Sequence, residues 1–219
     1  MRVIVFDTET TGLPQDMRAS TEKTELWPYI VQISWLIYDD VSKSITNINN
    51  HIIKLPEGVQ IPQESINIHR ITNEKMRSEG KSIDFILRDF TKDFLSCQIL
   101  IAHNLNFDNK VIQAEYNRNK QINWLGRHRK IEYCTMKYGK DFAKIWVKSK
   151  FYDGMYLKPP KLIELHEKLF KTQPQNLHNS MVDVWACFRC FHQMVFENDI
   201  CCAEINPSLA SHYKAICPL

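Results

Sequence analysis

Glycine is scarce in this chain, six residues in 219, so a flexible Gly-rich linker between domains is not expected. Low-complexity tracts and internal repeats are also missing. No apolar run approaches the roughly 18–20 residues that cross a bilayer, and no membrane partner is expected. The opening MRVIVFDTET has one arginine and a short apolar run that meets acid at once, unlike a signal peptide. Seven cysteines (Cys97, Cys134, Cys187, Cys190, Cys201, Cys202 and Cys217) form an odd set without a regular framework. That argues against a disulfide scaffold and for reduced thiols in an intracellular, cytoplasmic protein, nuclear if the source is eukaryotic. Cys187 and Cys190, with Cys201 and Cys202 downstream, invite a zinc reading. The first two fall in an apolar helical stretch, where thiols serve as small core residues, and core is the expectation.

Neither sign of charge dominates, the net being +3, but the basic residues are unevenly spread. Between Asn117 and Lys161 stand twelve lysines and arginines against three acids. Trp124, Tyr133, Tyr138, Phe142, Trp146, Phe151 and Tyr152 are interleaved with them. A solvated basic face explains many such runs; the aromatic residues make a nucleic-acid surface the sharper reading.

The apolar run of residues 2–6 predicts a buried first strand. Gly12 and Pro14 then open a polar loop to Pro28. Strands follow at 29–39 and 44–55, joined by a short turn, to give an antiparallel meander. Pro56 to Pro62 is loop. Ile83, Ile86, Leu87, Phe90 and Phe94 fall at helical spacing over 82–95, with Ser82 as N-cap. A fourth strand is expected at 98–102, a helix at 106–119, a fifth strand at 130–135, and helices at 161–170 and 180–197. This order predicts an α/β protein with a mixed five-stranded sheet flanked by helices. Residues 1–198 make one domain, followed by a tail, 199–219, that either docks a partner or folds back as a terminal helix.

Three segments carry acids where acids are unusual. In VFDTETTGL (5–13), Asp7 and Glu9 lie two apart, so an extended backbone points both to one side; taken alone, the stretch reads first as a helix cap or a solvated turn. In IAHNLNFD (101–108), a buried strand runs into His103 and Asn104, and Asp108 arrives early in the next helix, a common place for a capping acid. In LHNSMVDV (177–184), His178 and Asp183 are five apart, about 140° around a helix. They would not share a helical face, so His178 is expected on the loop, free to swing, with Asp183 inside the helix. Asp183 falls among Met181, Val182, Val184 and Trp185, where a buried carboxylate needs a cation or a donor. Four acids without basic partners nearby suit Mg²⁺ or Mn²⁺. A pair of such ions about 3.5–4 Å apart assists phosphodiester hydrolysis, with a neutral histidine as base.

Taken in order, DTETTGL, HNLNFD and LHNSMVDV resemble the three exonuclease motifs of the DEDDh 3′–5′ exonucleases. That family includes the proofreading epsilon subunit of bacterial DNA polymerase III and the three-prime repair exonucleases. The likeness extends to INIHRIT (66–72) and PPKLIELHEKLF (159–170). It implies a ribonuclease H-like fold and two Mg²⁺ (or Mn²⁺) held by Asp7, Glu9, Asp108 and Asp183. It implies His178 as general base, and a pocket for the 3′-terminal nucleotide made by Thr10, Thr11, Gly12, Leu13, Asn104 and Phe107. The implied reaction releases nucleoside 5′-monophosphates from a single-stranded or frayed 3′ end of DNA, in proofreading or repair, with a DNA polymerase as a conceivable partner. RNA trimming or oligonucleotide degradation is the alternative, and a non-catalytic nucleic-acid-binding module a more distant one. Arg70 stands where the family has glycine, and Cys134 where it often has aspartate, which bears on local loop shape. The basic segment 138–160 is longer than the family pattern and is expected to be a strand-gripping insertion.

Overall fold

The computed structural model describes residues 1–218. Strand β1 (Arg2–Thr10) pairs antiparallel with β2 (Ile30–Asp39), and β2 with β3 (Ser44–Ile52). On the other side of β1, β4 (Ile99–Ala102) and then β5 (Ile131–Cys134) add in parallel, giving the order β3-β2-β1-β4-β5. This is the mixed five-stranded sheet that the strand pattern predicts. Helices α1 (Gln63–His69), α2 (Asn73–Glu79) and α3 (Ile83–Ser96) precede β4; α4 (Leu105–Arg118) and the short α5 (Trp124–Arg127) precede β5. Beyond β5 lie two single-turn helices, α6 (Thr135–Tyr138) and α7 (Lys140–Ala143), and a hairpin of β6 (Trp146–Lys148) and β7 (Met155–Leu157). Three helices complete the chain: α8 (Leu162–Phe170), α9 (Ser180–Phe196) and α10 (Pro207–Ile216).

Val3 to Phe6 are all buried, as an apolar run without alternation requires when both faces of a sheet are covered. Successive side chains take opposite faces. Ile4 and Phe6 join Ile33, Trp35 and Ile37 against Leu87, Phe90 and Phe94 of α3 and Val111 and Ile112 of α4. Val3 and Val5 join Leu36, Tyr38 and Ile101 against Val184, Trp185 and Phe188 of α9 and Leu209 and Tyr213 of α10. Each of these large side chains contributes about 1.5–3 kcal/mol by leaving water. Cys187, Cys190, Cys201 and Cys217 are buried between the helices as small apolar groups.

Several boundaries differ from the sequence expectation. Strand β1 runs on to Thr10, not Phe6, although acids at 7 and 9 are poor strand formers. The reason is tertiary: β2 supplies a partner opposite each of them, Ser34 across from Asp7 and Gln32 across from Glu9. Between residues 63 and 79, read without an element, two seven-residue helices form, too short to show a hydrophobic period. Strand β3 ends at Ile52 rather than Leu55, and Ile53 bridges to Lys81 instead. Ser82 precedes α3 but its hydroxyl makes no capping bond. No helix is long and apolar enough to cross a membrane among the described residues.

The last helix rests on α9 through a buried polar cluster. Arg189 pairs with Asp199 at 2.6 Å and stacks over Phe170 and Tyr213. The Tyr213 hydroxyl lies 2.7 Å from His166 Nε2, whose ring burial drives down to a pKa of about 4, keeping it neutral. This cluster ties α8 and α10 to α9, the helix that bears Asp183.

Candidate active site

Continuing the alternation of Val3 and Val5, Asp7 and Glu9 leave β1 on the face covered by α9. Along β1, strand β4 reaches only Val3, Ile4 and Val5, so both acids project past its end. Thr8, between them, takes the opposite face and meets α4. Its amide and hydroxyl both donate to Asp108 Oδ1, at 3.0 and 2.7 Å, in the first turn of that helix. Asp183 is buried in the first turn of α9, and its Oδ2 accepts the His178 amide at 3.0 Å. His178 precedes the helix in a left-handed conformation, φ 69°. Donor atoms of Glu9, His178 and Asp183 lie within 4.8 Å of one another. The histidine is thus on the loop and its ring exposed, but its backbone is tied to Asp183 rather than free to swing.

All four carboxylates are shifted upward, and the charges of neighbouring acids contribute at Asp7, Glu9 and Asp183. Burial lifts Asp7 well above the usual carboxylate range, and the charges of Asp108, Asp183 and Glu9 add to this. Glu9 is pushed up to about 9 by burial, then by Asp183 and Asp108. Asp108 rises to about 7 through burial, against the opposing pull of the two Thr8 bonds. Asp183 rises to about 7 for the same first reason, opposed by the His178 amide and reinforced by Asp108. None of the four has an ion-pair partner among the described residues. Oxygen donors that are crowded and short of cations, buried at Asp108 and Asp183 and half-buried at Asp7 and Glu9, fit a hard divalent ion.

The start of α9 is held by polar residues the sequence reading passed over. Ser180 donates its amide to Gln32 Oε1 at 3.2 Å, and its hydroxyl lies 2.6 Å from that of Ser34. Gln32 and Ser34 both donate to Asn50 Oδ1, at 2.8 and 3.0 Å. Three elements thereby position the turn that carries Asp183. The signal was present: Gln32 and Ser34 are the only uncharged polar side chains inside YIVQISWLIYD apart from its tyrosines, and both are buried.

The residues expected to hold a terminal nucleotide come together only in part. Thr11 exchanges bonds with Tyr29, its amide to the carbonyl at 3.0 Å and its hydroxyl accepting the Tyr29 amide at 3.1 Å. Thr10 donates to the Gly12 carbonyl at 2.7 Å. Gly12 has φ 150°, a backbone state that side chains resist. The turn projects Leu13 into solvent, 84% exposed. Behind it, Arg118 stacks on Tyr29, pairs with buried Glu115 and donates to the carbonyls of Thr24 and Trp27. Asn104 caps α4 in a left-handed conformation, while Phe107 is half-buried against the core. Beside His178 a cleft of about 890 Å³ is lined by His69, Arg70, Asn176, Asn179 and Met181. Arg70 there has φ 63°, which explains why glycine would be the easier residue.

The chain matches the model of the RNase T exonuclease family over residues 4–191, and no curated protein sequence matches it. In fold it is similar to E. coli Exonuclease I in complex with a dT13 oligonucleotide: TM-score 0.65, 14% identity, covering 96% of this chain and 43% of that one. An exonuclease I structure discussed for its processivity gives TM-score 0.66 and 15% identity over 96% and 42%. An ExoI/SSB-Ct complex gives 0.64 and 13% over 96% and 43%. This chain thus spans less than half the length of those relatives, and the likeness is one of fold, ribonuclease H-like. The family model takes in all four acids and the histidine beside them. The chain belongs to the RNase T exonuclease family.

Proposed function

We propose that the chain is a metal-dependent 3′–5′ exonuclease that trims a single-stranded or frayed 3′ end of DNA. The observation that carries this reading is the convergence of Asp7, Glu9, Asp108 and Asp183, without basic partners, beside an exposed His178. The four carboxylates would hold two Mg²⁺ or Mn²⁺. When bound, such ions offset charge on the phosphate and make a nearby water more acidic.

His178 takes the proton of the attacking water, as an imidazole is suited to do near neutral pH. The water oxygen bonds to the terminal phosphorus, the bond from phosphorus to the upstream 3′-oxygen breaks, and that oxygen takes a proton from solvent. The products are a nucleoside 5′-monophosphate and a strand ending in a 3′-hydroxyl. The turn Thr10–Leu13 holds the last nucleotide, with the exposed Leu13 against its base, and Asn104 and Phe107 line the same place. Removal of single nucleotides from a 3′ end is what proofreading and repair require, and that setting, with a DNA polymerase as partner, is part of the proposal.

The test is incubation of 5′-labelled single-stranded DNA, duplex DNA and RNA of one sequence, with Mg²⁺ or with chelator. A ladder shortening from the 3′ end of DNA only with Mg²⁺ is expected. Intact ends with metal present would reject the reading. RNA trimmed faster than DNA would move the substrate to ribose, a distinction that rests on contacts to one hydroxyl.

A further inference from the structure

The segment after β5 leaves the sheet at the end where the acids gather. Strands β1, β4 and β5 are parallel, so Thr135, which follows β5, lies at the same edge as the ends of β1 and β4. His103 pins both ends of the segment there: its Nδ1 is 3.0 Å from the Thr135 hydroxyl and its Nε2 3.1 Å from the Pro160 carbonyl. A cleft of about 490 Å³ runs from Asn104 and Asn106 to Lys137, Tyr138, Lys140 and Pro159. It joins the start of the Asp108 helix to the foot of the β6–β7 hairpin.

The hairpin holds aromatic side chains in water. Trp146 is 59% exposed, Tyr152 57%, and Phe151 at the tip 97%. The tip is a formed turn, with Ser149 Oγ accepting the amides of Phe151 and Tyr152 at 3.1 and 3.3 Å. Trp146 pairs with Leu157 and Lys148 with Met155, placing the indole and a lysine on one face. Residues 137–161 contain seven lysines and two acids. Among the described residues only Lys158 of these seven has an ion-pair partner, Glu164 at 2.7 Å. A two-stranded ribbon gains little core of its own, so it does not account for rings left so exposed.

Cations and ring faces presented together match a ligand with negative charges along its length and flat apolar groups between them. Single-stranded nucleic acid has both; a duplex keeps its base faces inside the stack. We propose that the β6–β7 hairpin is a stacking platform for the single-stranded nucleic acid upstream of the 3′ end being cut. Lys144, Lys148 and Lys150 meet its phosphates, while Trp146 and Phe151 stack on its bases. This rests on the exonuclease reading above, and adds the direction in which the strand leaves the acids: through the cleft at Asn104 and Lys137 toward the hairpin.

The test compares Trp146→Ala, Trp146→Phe and Phe151→Ala in the full chain. Each is assayed with Mg²⁺ on long oligothymidylate and on the p-nitrophenyl ester of thymidine 5′-monophosphate, which has no upstream strand. The preference in kcat/KM for the long strand over the ester falls at least about five-fold in both alanine variants, the loss of one stacked base. Trp146→Phe retains the parent's preference. An unmoved preference in Phe151→Ala, whose side chain touches no core, overturns the proposal whatever becomes of Trp146→Ala. If the parent hydrolyses neither substrate, the exonuclease reading itself has failed. The platform is then judged by quenching of tryptophan fluorescence on oligothymidylate binding in chelator: quenching that disappears in Trp146→Phe supports it, and its persistence there rejects it.

Discussion

Asp108 receives two hydrogen bonds from a single residue, the Thr8 amide at 3.0 Å and the Thr8 hydroxyl at 2.7 Å, both on the same oxygen. Thr8 stands between Asp7 and Glu9 on β1. Three consecutive residues of the strand therefore supply two acids of the cluster and orient a third, which comes from α4. With one Asp108 oxygen so occupied, the other is the one that would meet the proposed cation.

Thr8→Val deletes one of those bonds while keeping the shape of the side chain. The Mg²⁺ concentration for half-maximal nuclease activity should rise about 10–100-fold, the usual effect of losing a group that orients a metal ligand. Thr8→Ser should restore the parent's value. Superimposable metal titrations for Thr8→Val and parent would show the hydroxyl to be idle.

Without metal, the cluster should make the fold sensitive to alkali. Asp108 and Asp183 keep their protons to about 7 and Glu9 to about 9, against ordinary values of 3.8 and 4.5. Between those limits the folded chain binds more protons than the unfolded one, so stability falls as pH rises. Melting in chelator should move to lower temperature from about pH 5 to about pH 8, and Mg²⁺ or Mn²⁺ should flatten that slope. A melting temperature that climbs with pH in chelator would contradict the sign.

Asp7→Ala and Asp183→Asn should abolish metal-dependent turnover. Each also removes a crowded carboxylate, half-buried at Asp7 and buried at Asp183, so the metal-free variants should melt no lower than the parent at about pH 8. Undiminished turnover in either variant would remove that residue from the site.

His178→Ala should slow hydrolysis by about 10²–10⁴-fold. The Asp183 bond comes from the backbone of residue 178, so it survives the substitution, and stabilisation by Mg²⁺ should persist. A rate within a few-fold of the parent's would count against the histidine as base.

Arg118→Met tests the scaffold behind the nucleotide turn. It leaves Glu115 buried without its cation, which costs about 3–5 kcal/mol when one partner of such a pair is removed. Urea unfolding near neutral pH should register that loss. A shift no larger than an exposed pair would give, about 0–1 kcal/mol, would mean water reaches the site.

Much of the fold follows from local pattern. Ile86, Leu87, Phe90 and Phe94 lie on one side of a helix by spacing alone, and the run Val3–Phe6 has no polar residue to offer a solvated face. Residues 63–79 were not legible, because two helices of seven residues are shorter than the window in which a period appears. The extension of β1 to Thr10 was hidden for another reason: it depends on backbone partners from β2, which no local preference of Asp7 or Glu9 reports. The polar anchors Gln32, Ser34 and Asn50 were visible as interruptions, but their use depends on Ser180, more than a hundred positions away.

The sequence alone determined which residues are acids, the two-residue spacing that aims Asp7 and Glu9 to one side, and the apolar setting that makes Asp183 costly without a partner. Those are properties of neighbours along the chain, governed by backbone periodicity and desolvation. Only the tertiary structure decided that Asp108 and Asp183 arrive from helices on opposite faces of one sheet to meet at the end of β1. It also decided that Thr8 and the His178 backbone would each claim an oxygen. Convergence of that kind is set by how layers pack across the sheet, and packing between distant segments leaves no mark on local spacing.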